Sequence, residues 1–340
     1  MSAAPQFSVI GSGSVLRALE GRHAEILDVV AHAYVEHAAG RSVNPPSHFL
    51  TFPDRPEARI IALPAALGGS SGAAGIKWIS SFPKNLERGL PRASAVLVLN
   101  DIDTGYPIAC LESSVISATR TAASAVVAAA ALTARRERPR RLLFVGSGLI
   151  ARYIHEFFLR SGWEFDRVDV VDVVHGYAEA FAESVRGSGQ QAPVHTVEDV
   201  GTAVRSADLI VFATTAGTPH VEEPSWFAHH PVVLHISLRD LSPRILLGSV
   251  NVLDDVDHCL RAETSPHLTE QLTGSRDFVD GVIAEVITGE LVPDPERSIV
   301  FSPFGLGMLD LAVGRFVLDA VTASGEIEPV PGFFPEGGPP

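Results

Sequence analysis

Apolar positions follow two regimes along the chain. Between Gly21 and Ala39, Ile26, Val29, Val30, Ala33 and Val35 recur near helical spacing and Gly40 stops the run, which predicts a helix. After a Pro- and Asn-broken stretch over 42–52, three short apolar runs, Arg59 to Pro64, Ala74 to Ile79 and Ser94 to Leu99, are separated by Gly and Pro and read as strands. A polar turn over 100–105 leads to a return strand from Tyr106 to Leu111, so the first third predicts a helix followed by a mostly antiparallel sheet. Residues 112–135 hold no Gly or Pro and many alanines, which predicts one long helix. An Arg- and Pro-rich stretch over 134–141 reads as a solvated boundary.

From Leu142, which opens a short fully apolar run to Val145, the pattern changes to alternating strands and helices. Strands are predicted over 142–145, 167–171, 194–196, 209–213, 232–236 and 249–253, with helices over 149–160 and 177–185. Near-continuous apolar strands alternating with helices indicate a parallel sheet covered on both faces. A last helix begins near Gly305, with Leu306, Leu309, Val313, Phe316, Val317 and Ala320 on one face. The Pro- and Gly-rich end over 329–340 is expected to be a flexible tail.

Composition narrows the function classes. A chain of 340 residues is long for one ordinary domain, which predicts two. Its mean hydropathy is +0.21 with 19% charged residues, a low charge fraction that points to surface hidden in an oligomer. The net charge of −14 disfavours nucleic acid and anionic membrane as partners, and leaves room for a small anionic substrate held by focused arginines. The two cysteines, Cys110 and Cys259, form no C-x-x-C pair, which fits a reducing, cytoplasmic setting. The N-terminus lacks a signal-peptide pattern, and the Ala-rich stretch Thr121 to Leu132 is shorter than the ~20 residues of a membrane span. Histidines His229 and His230 are adjacent, no H-x-x-x-H occurs, and no metal is expected.

The sharpest motif is strand, then Gly146-Ser-Gly148-Leu149-Ile150-Ala151, then helix, the dinucleotide-binding fingerprint. Gly146 allows the tight turn, Gly148 the approach of a pyrophosphate, and Ala151 close helix–strand packing; the helix N-terminus favours the negative charge. Asp172 ends the next strand, placed for the adenosine ribose hydroxyls, and the following Val173 and Val174 offer no cation for a 2′-phosphate. The expected cofactor is therefore NAD. A second glycine pair, Gly11-Ser-Gly13, lacks a recognisable apolar strand before it and reads as a decoy.

The stretches Gly75-Ile-Lys-Trp78, Asn100-Asp-Ile-Asp-Thr-Gly-Tyr-Pro107 and Ser117-Ala-Thr-Arg-Thr-Ala-Ala123 ahead of a Rossmann unit resemble the ornithine cyclodeaminase/μ-crystallin family from about residue 6 to 325. The resemblance implies an α/β fold: a Rossmann NAD-binding domain (134–304) inserted in an α+β substrate and dimerisation domain (1–133 with 305–328), working as a homodimer. The text from Asp54 to Pro64, Gly75 to Ile79 and Arg92-Ala-Ser94 is similar to a branch of siderophore and peptide-antibiotic pathways. That branch oxidises N-(1-amino-1-carboxy-2-ethyl)-glutamate with NAD and hydrolyses the imine to 2,3-diaminopropionate and 2-oxoglutarate, its substrate supplied by a PLP-dependent synthase. Where ornithine cyclodeaminases carry a Glu, this chain has Ile61, which cannot hold an ammonium group.

The same resemblance implies the site residues. Arg59, Arg92 and Arg120 are expected to bind substrate carboxylates, with an ion pair from Arg120 to an acid such as Glu112 as the structural alternative. Lys77 is expected to polarise the group at the imine carbon, and Asp240, after the fifth Rossmann strand, to act as general base with Arg244 nearby. Thr214, Thr215, Ser302 and Asp310 are expected to border the cofactor. Other NAD-dependent amino or imino acid dehydrogenases, ornithine cyclodeaminase, and a cofactor-binding protein without turnover are the alternatives.

Overall fold

The computed structural model describes residues 6–69 and 72–335, and the last five positions of the expected tail fall outside them. The chain opens with β1 (Ser8–Ile10), α1 (Ser12–Leu19), α2 (His23–Ala38), β2 (Ser42–Val43) and β3 (His48–Phe52). β4 (Arg55–Leu67), β5 (Ala73–Ser81), β6 (Ala93–Asn100) and β7 (Pro107–Glu112) follow, then α3 (Ser114–Thr133). The alternating part comprises β8 (Arg141–Val145), α4 (Leu149–Arg160), β9 (Arg167–Val171), α5 (His175–Gly187), β10 (Val194–Thr196), α6 (Val200–Val204), β11 (Leu209–Phe212) and β12 (Val232–His235). It continues with α7 (Pro243–Leu247), β13 (Val250–Leu253), α8 (Val256–Cys259), α9 (Ser265–Thr273), β14 (Val279–Val282), α10 (Ile283–Thr288) and β15 (Ile299–Ser302), and α11 (Gly307–Ala323) closes the fold.

Two compact units result: one from residues up to Arg120 together with those from Leu306, the other from Thr121 to Gly305. The division falls inside α3 rather than at its end. In the first unit, β1-β7-β6-β5-β4-β2 form one sheet, with β3 also paired to β4; every pairing is antiparallel except β1 with β7. α11 packs on β4, β5 and β6. Small residues permit this close approach: a Cβ on Gly314 of α11 would stand 2.2 Å from Leu97 Cδ2 of β6, and one on Gly75 of β5 would stand 3.2 Å from Leu311 Cδ2 of α11. The strand period of two then decides which side chains lie beneath α11. Lys77, opposite Leu63 and Leu97, is on that inner face, whereas Val9, Trp78 and Val96 are exposed on the other.

The second unit is an eight-stranded, all-parallel sheet in the order β10-β9-β8-β11-β12-β15-β13-β14. Its core gathers Leu143, Val145, Ile210, Phe212, Val233 and Val300 from the strands with Leu241, Ile245 and Leu246 from the segment after β12.

Four sequence expectations are corrected. β15, placed between β12 and β13, was not anticipated, nor was β14, because Ser298 and Pro303 leave β15 only four residues to read. Gly11 does follow a strand; β1 is three residues long and belongs to the other sheet, and Gly11 caps α1. The described part of the tail is docked, with Val330 N–H donating to Phe7 O (2.7 Å) and the Phe333 ring stacked on Phe7 at 3.9 Å. Finally, α3 is 20 residues long and apolar enough to cross a membrane by composition, but 67% of its apolar window is buried, as in a core helix.

Candidate functional site

Each unit carries its own cluster. In the first, α11 brings Asp310 to its first turn, where the helix N-terminus favours a carboxylate. Asp310 is fully buried and accepts hydrogen bonds from Lys77 Nζ at Oδ2 (2.6 Å) and from Arg120 Nε at Oδ1 (3.3 Å). Lys77 Nζ also donates to Ser117 Oγ (3.2 Å), so one of its three protons has no partner among the described residues. Arg120, its side chain 12% exposed, engages Nε, and its two terminal nitrogens have no partner among the described residues. Two cations thus share one acid. Glu112, the alternative partner for Arg120, is instead used by the backbone N–H of Ser114 (2.7 Å) at the start of α3.

Burial pushes the Lys77 ammonium down to about 8, against the pull of Asp310 and with the push of Arg120. The chain has only two lysines, Lys77 and Lys84, a signal in the sequence that singles out a lysine placed inside a strand. Lysine-selective isotope labelling is expected to resolve two side-chain signals, with that of Lys77 titrating near pH 8. A midpoint at the ordinary lysine value would show that Lys77 is solvated.

The inner face of β5 continues from Lys77 to Ser81. There Arg92 donates to Ser81 Oγ (2.8 Å), and Arg59 is the cross-strand partner of Ser81. Burial and the nearby Arg59 charge lower the Arg92 guanidinium from its ordinary value. Neither arginine forms an ion pair with an acid among the described residues. Four strand steps separate Lys77 from Ser81, on the order of 13 Å.

In the second unit, the turn after β8 is built as its glycines demand. Gly146 sits at φ +93°, and a Cβ there would lie 2.5 Å from the Ala213 carbonyl oxygen. A Cβ on Gly148 would meet no protein atom within 4 Å, and α4 has no side-chain cap on its first N–H groups. That open space over free donors fits a pyrophosphate. Leu149 is exposed, while Ala151 is buried against the sheet. Asp172 Oδ2 accepts from Ser147 N–H (3.0 Å) and Oγ (2.6 Å), and Oδ1 from Val174 N–H (2.9 Å), so it ties the glycine turn to the start of α5.

Past β11 and β12, at the ends where open parallel sheets bind ligands, Asp240 is a hub. Its Oδ1 accepts from Thr214 Oγ1 (2.5 Å) and His220 Nε2 (3.0 Å), and its Oδ2 from Ser237 Oγ. Burial raises its carboxyl, but hydrogen bonds led by that of His220 outweigh it and hold the group well below the usual carboxylate range. Asp240, expected as the general base, is 0% exposed, and its ionised carboxylate is enclosed with both oxygens engaged by donors. Asp240 N–H donates to His235 Nε2 (3.0 Å), which leaves the ring proton on Nδ1, facing Ser302 Oγ (3.2 Å). Ser302 is itself buried, and the turn after it is fixed by Asp254, which accepts from Phe304 N–H (2.9 Å) and Gly305 N–H (2.7 Å). His220, His235, Ser237 and Asp254 were missed in the sequence, as none stands in a motif.

A dinucleotide turn on a parallel sheet defines a cofactor-binding fold, and a separate α+β unit carries two cations on one buried acid. The chain belongs to the ornithine cyclodeaminase/mu-crystallin family, whose profile matches residues 18–325. It is 30% identical over 311 residues to the N-((2S)-2-amino-2-carboxyethyl)-L-glutamate dehydrogenase of Staphylococcus aureus, covering 87% of this chain and 90% of that one. An archaeal alanine dehydrogenase dimer with bound NAD superimposes with a TM-score of 0.84 at 25% identity, covering 96% of this chain and all of the other. The Thermococcus litoralis Delta(1)-pyrroline-2-carboxylate reductase in complex with NADH and L-proline shares the fold, with a TM-score of 0.86 at 22% identity over 95% of this chain and 100% of that one.

Proposed function

We propose that this chain is an NAD-dependent oxidoreductase that oxidises the secondary amine of an N-(1-amino-1-carboxy-2-ethyl)-glutamate conjugate and hydrolyses the imine, releasing 2,3-diaminopropionate and 2-oxoglutarate. The observation that carries the reading is charge. In a chain of net charge −14, the first unit collects Lys77, Arg120, Arg59 and Arg92, and Asp310 is the one acid paired with any of them among the described residues. Two cationic stations on the order of 13 Å apart suit an elongated substrate with several carboxylates. Alanine and ornithine offer one carboxylate each, and Ile61 presents no acid to an ornithine amine.

NAD is the cofactor, and the redox chemistry is that of its hydride acceptor when bound. Gly146, Gly148 and the α4 N-terminus would hold the pyrophosphate, and Asp172 would meet the adenosine ribose. The open fork of Arg120 and the third proton of Lys77 grip one substrate carboxylate, while Arg59 and Arg92 hold a distal one. A PLP-dependent synthase that joins the two amino acids is the reaction that supplies this substrate. The test is direct: with NAD and the synthetic conjugate, the enzyme forms NADH and 2-oxoglutarate in equal amounts. Faster NADH formation from alanine, proline or ornithine overturns the reading.

The exposed apolar face of Val9, Trp78 and Val96 supports a homodimer joined through this sheet, as does the dimeric state of the archaeal alanine dehydrogenase. Light scattering is expected to give twice the chain mass for the wild type and a single chain mass for the Trp78→Glu/Val96→Glu double variant. An unchanged mass for that variant places the interface elsewhere.

A further inference from the structure

We infer that His220 is a catalytic base of this site: its Nδ1 takes the proton from the water that attacks the imine carbon, with Asp240 holding the ring. This inference rests on the oxidative-cleavage reading and deepens it. His220 Nε2 lies 3.0 Å from Asp240 Oδ1, and because an ionised carboxylate can only accept, the ring proton is on Nε2. Nδ1 is then a bare lone pair, with no hydrogen bond among the described residues. The side chain is 40% exposed, whereas that of Asp240 is fully enclosed. The backbone fixes the same geometry, since the N–H groups of His220 (3.0 Å) and Val221 (2.9 Å) both donate to Asp240 O. The position follows from topology: His220 lies in the segment after β11 and Asp240 in the segment after β12, at the ligand-binding ends of adjacent parallel strands.

The arrangement is that of an orienting acid, an imidazole and a reacting group, in which the acid sets the tautomer and the imidazole moves the proton. The other groups around the carboxylate cannot replace it. Thr214 and Ser237 are hydroxyl donors committed to Asp240, and His235 is 0% exposed with both nitrogens engaged. The preceding step oxidises the amine and reduces NAD to NADH. In this step the water oxygen bonds to the imine carbon, the C=N π pair moves onto nitrogen, and the water proton goes to Nδ1. That proton passes to the nitrogen, the C–N bond breaks with its pair leaving on the amine of 2,3-diaminopropionate, and the carbinol O–H proton goes to the freed Nδ1 as the 2-oxoglutarate carbonyl forms.

The test uses the full-length protein with NAD and the synthetic conjugate. For His220→Ala the burst of NADH in a single turnover is expected to persist, while steady release of 2-oxoglutarate falls about 100-fold. Added imidazole restores release to His220→Ala and not to the wild type, a response that a structural role does not give. NADH binding, read by fluorescence, is unchanged and shows that the unit is folded. Nitrogen-15 spectra of the wild type show the His220 proton on Nε2. Full release by His220→Ala, a loss that imidazole does not rescue, or a proton on Nδ1 each overturns the role of His220 alone. A wild type that makes neither NADH nor 2-oxoglutarate overturns the substrate reading and this step with it.

Discussion

Asp310→Asn is expected to lower kcat/KM by about 10³-fold and to destabilise the protein by roughly 3–5 kcal/mol at pH 7. The substitution keeps the shape of the side chain and removes its charge. Lys77 and Arg120, which both donate to the Asp310 carboxylate, are then left as two facing cations in a buried place. Breaking a buried pair on one side costs more than the pair contributes, because the remaining charge has no water to return to. Lys77 has a way out: burial already brings it to about 8, and without its anion it sheds the proton more readily. Its folded value lies below the ordinary 10.5, so the unfolded chain binds more protons between the two values and stability rises with pH across that window. The deficit of Asp310→Asn should therefore be larger at pH 6 than at pH 9. Replacing both partners, as Lys77→Met with Asp310→Leu, should recover much of the stability and none of the activity. Thermal melts at the two pH values, read beside NADH formation, check this; an Asp310→Asn protein with wild-type melting and turnover would show that the triad is a surface ion pair.

The sequence made the scaffold legible wherever one period ran long enough. The largely apolar runs of β8, β9, β11 and β12 and the short runs of β5 and β6 between Gly and Pro are visible in the residues themselves, and the glycine turn stands between a strand and a helix as its chemistry requires. Short elements escaped: β1 has three residues and β2 two, too few to show any period. The site was half legible for a related reason. Lys77 and Arg120 are conspicuous, being charges inside apolar runs, and such placement has to be compensated somewhere. The compensating acid is 190 positions away from Arg120, and only the packing of α11 on the sheet reveals it as Asp310 rather than Glu112. Likewise Asp240 stands out in the sequence and its surroundings do not. Its burial and four hydrogen-bonding neighbours, none adjacent to it in sequence, come from packing alone. Long-range contact decides protonation, and a sequence pattern does not contain it.

Gly146→Ala and Gly148→Ala are expected to fail in different ways, although both belong to one motif. A Cβ at residue 146 stands 2.5 Å from the Ala213 oxygen and 2.7 Å from its carbon, backbone atoms that cannot swing aside, at φ +93° where an L side chain is already strained. The adjoining Thr214 is the donor to Asp240, so relief of the clash also displaces that hub. Gly146→Ala should therefore melt earlier and lose NADH binding together, by about 100-fold or more in Kd, the equivalent of roughly 3 kcal/mol. At Gly148 the added methyl meets no protein atom, and the extended backbone there (φ −71°, ψ −173°) accepts alanine. Gly148→Ala should melt as the wild type does and still bind NADH about 100-fold more weakly, since its methyl occupies the space that fits the pyrophosphate. Melting curves and NADH fluorescence titrations on the two variants separate the cases. Wild-type affinity in Gly148→Ala would move the pyrophosphate off this turn, however well the motif reads.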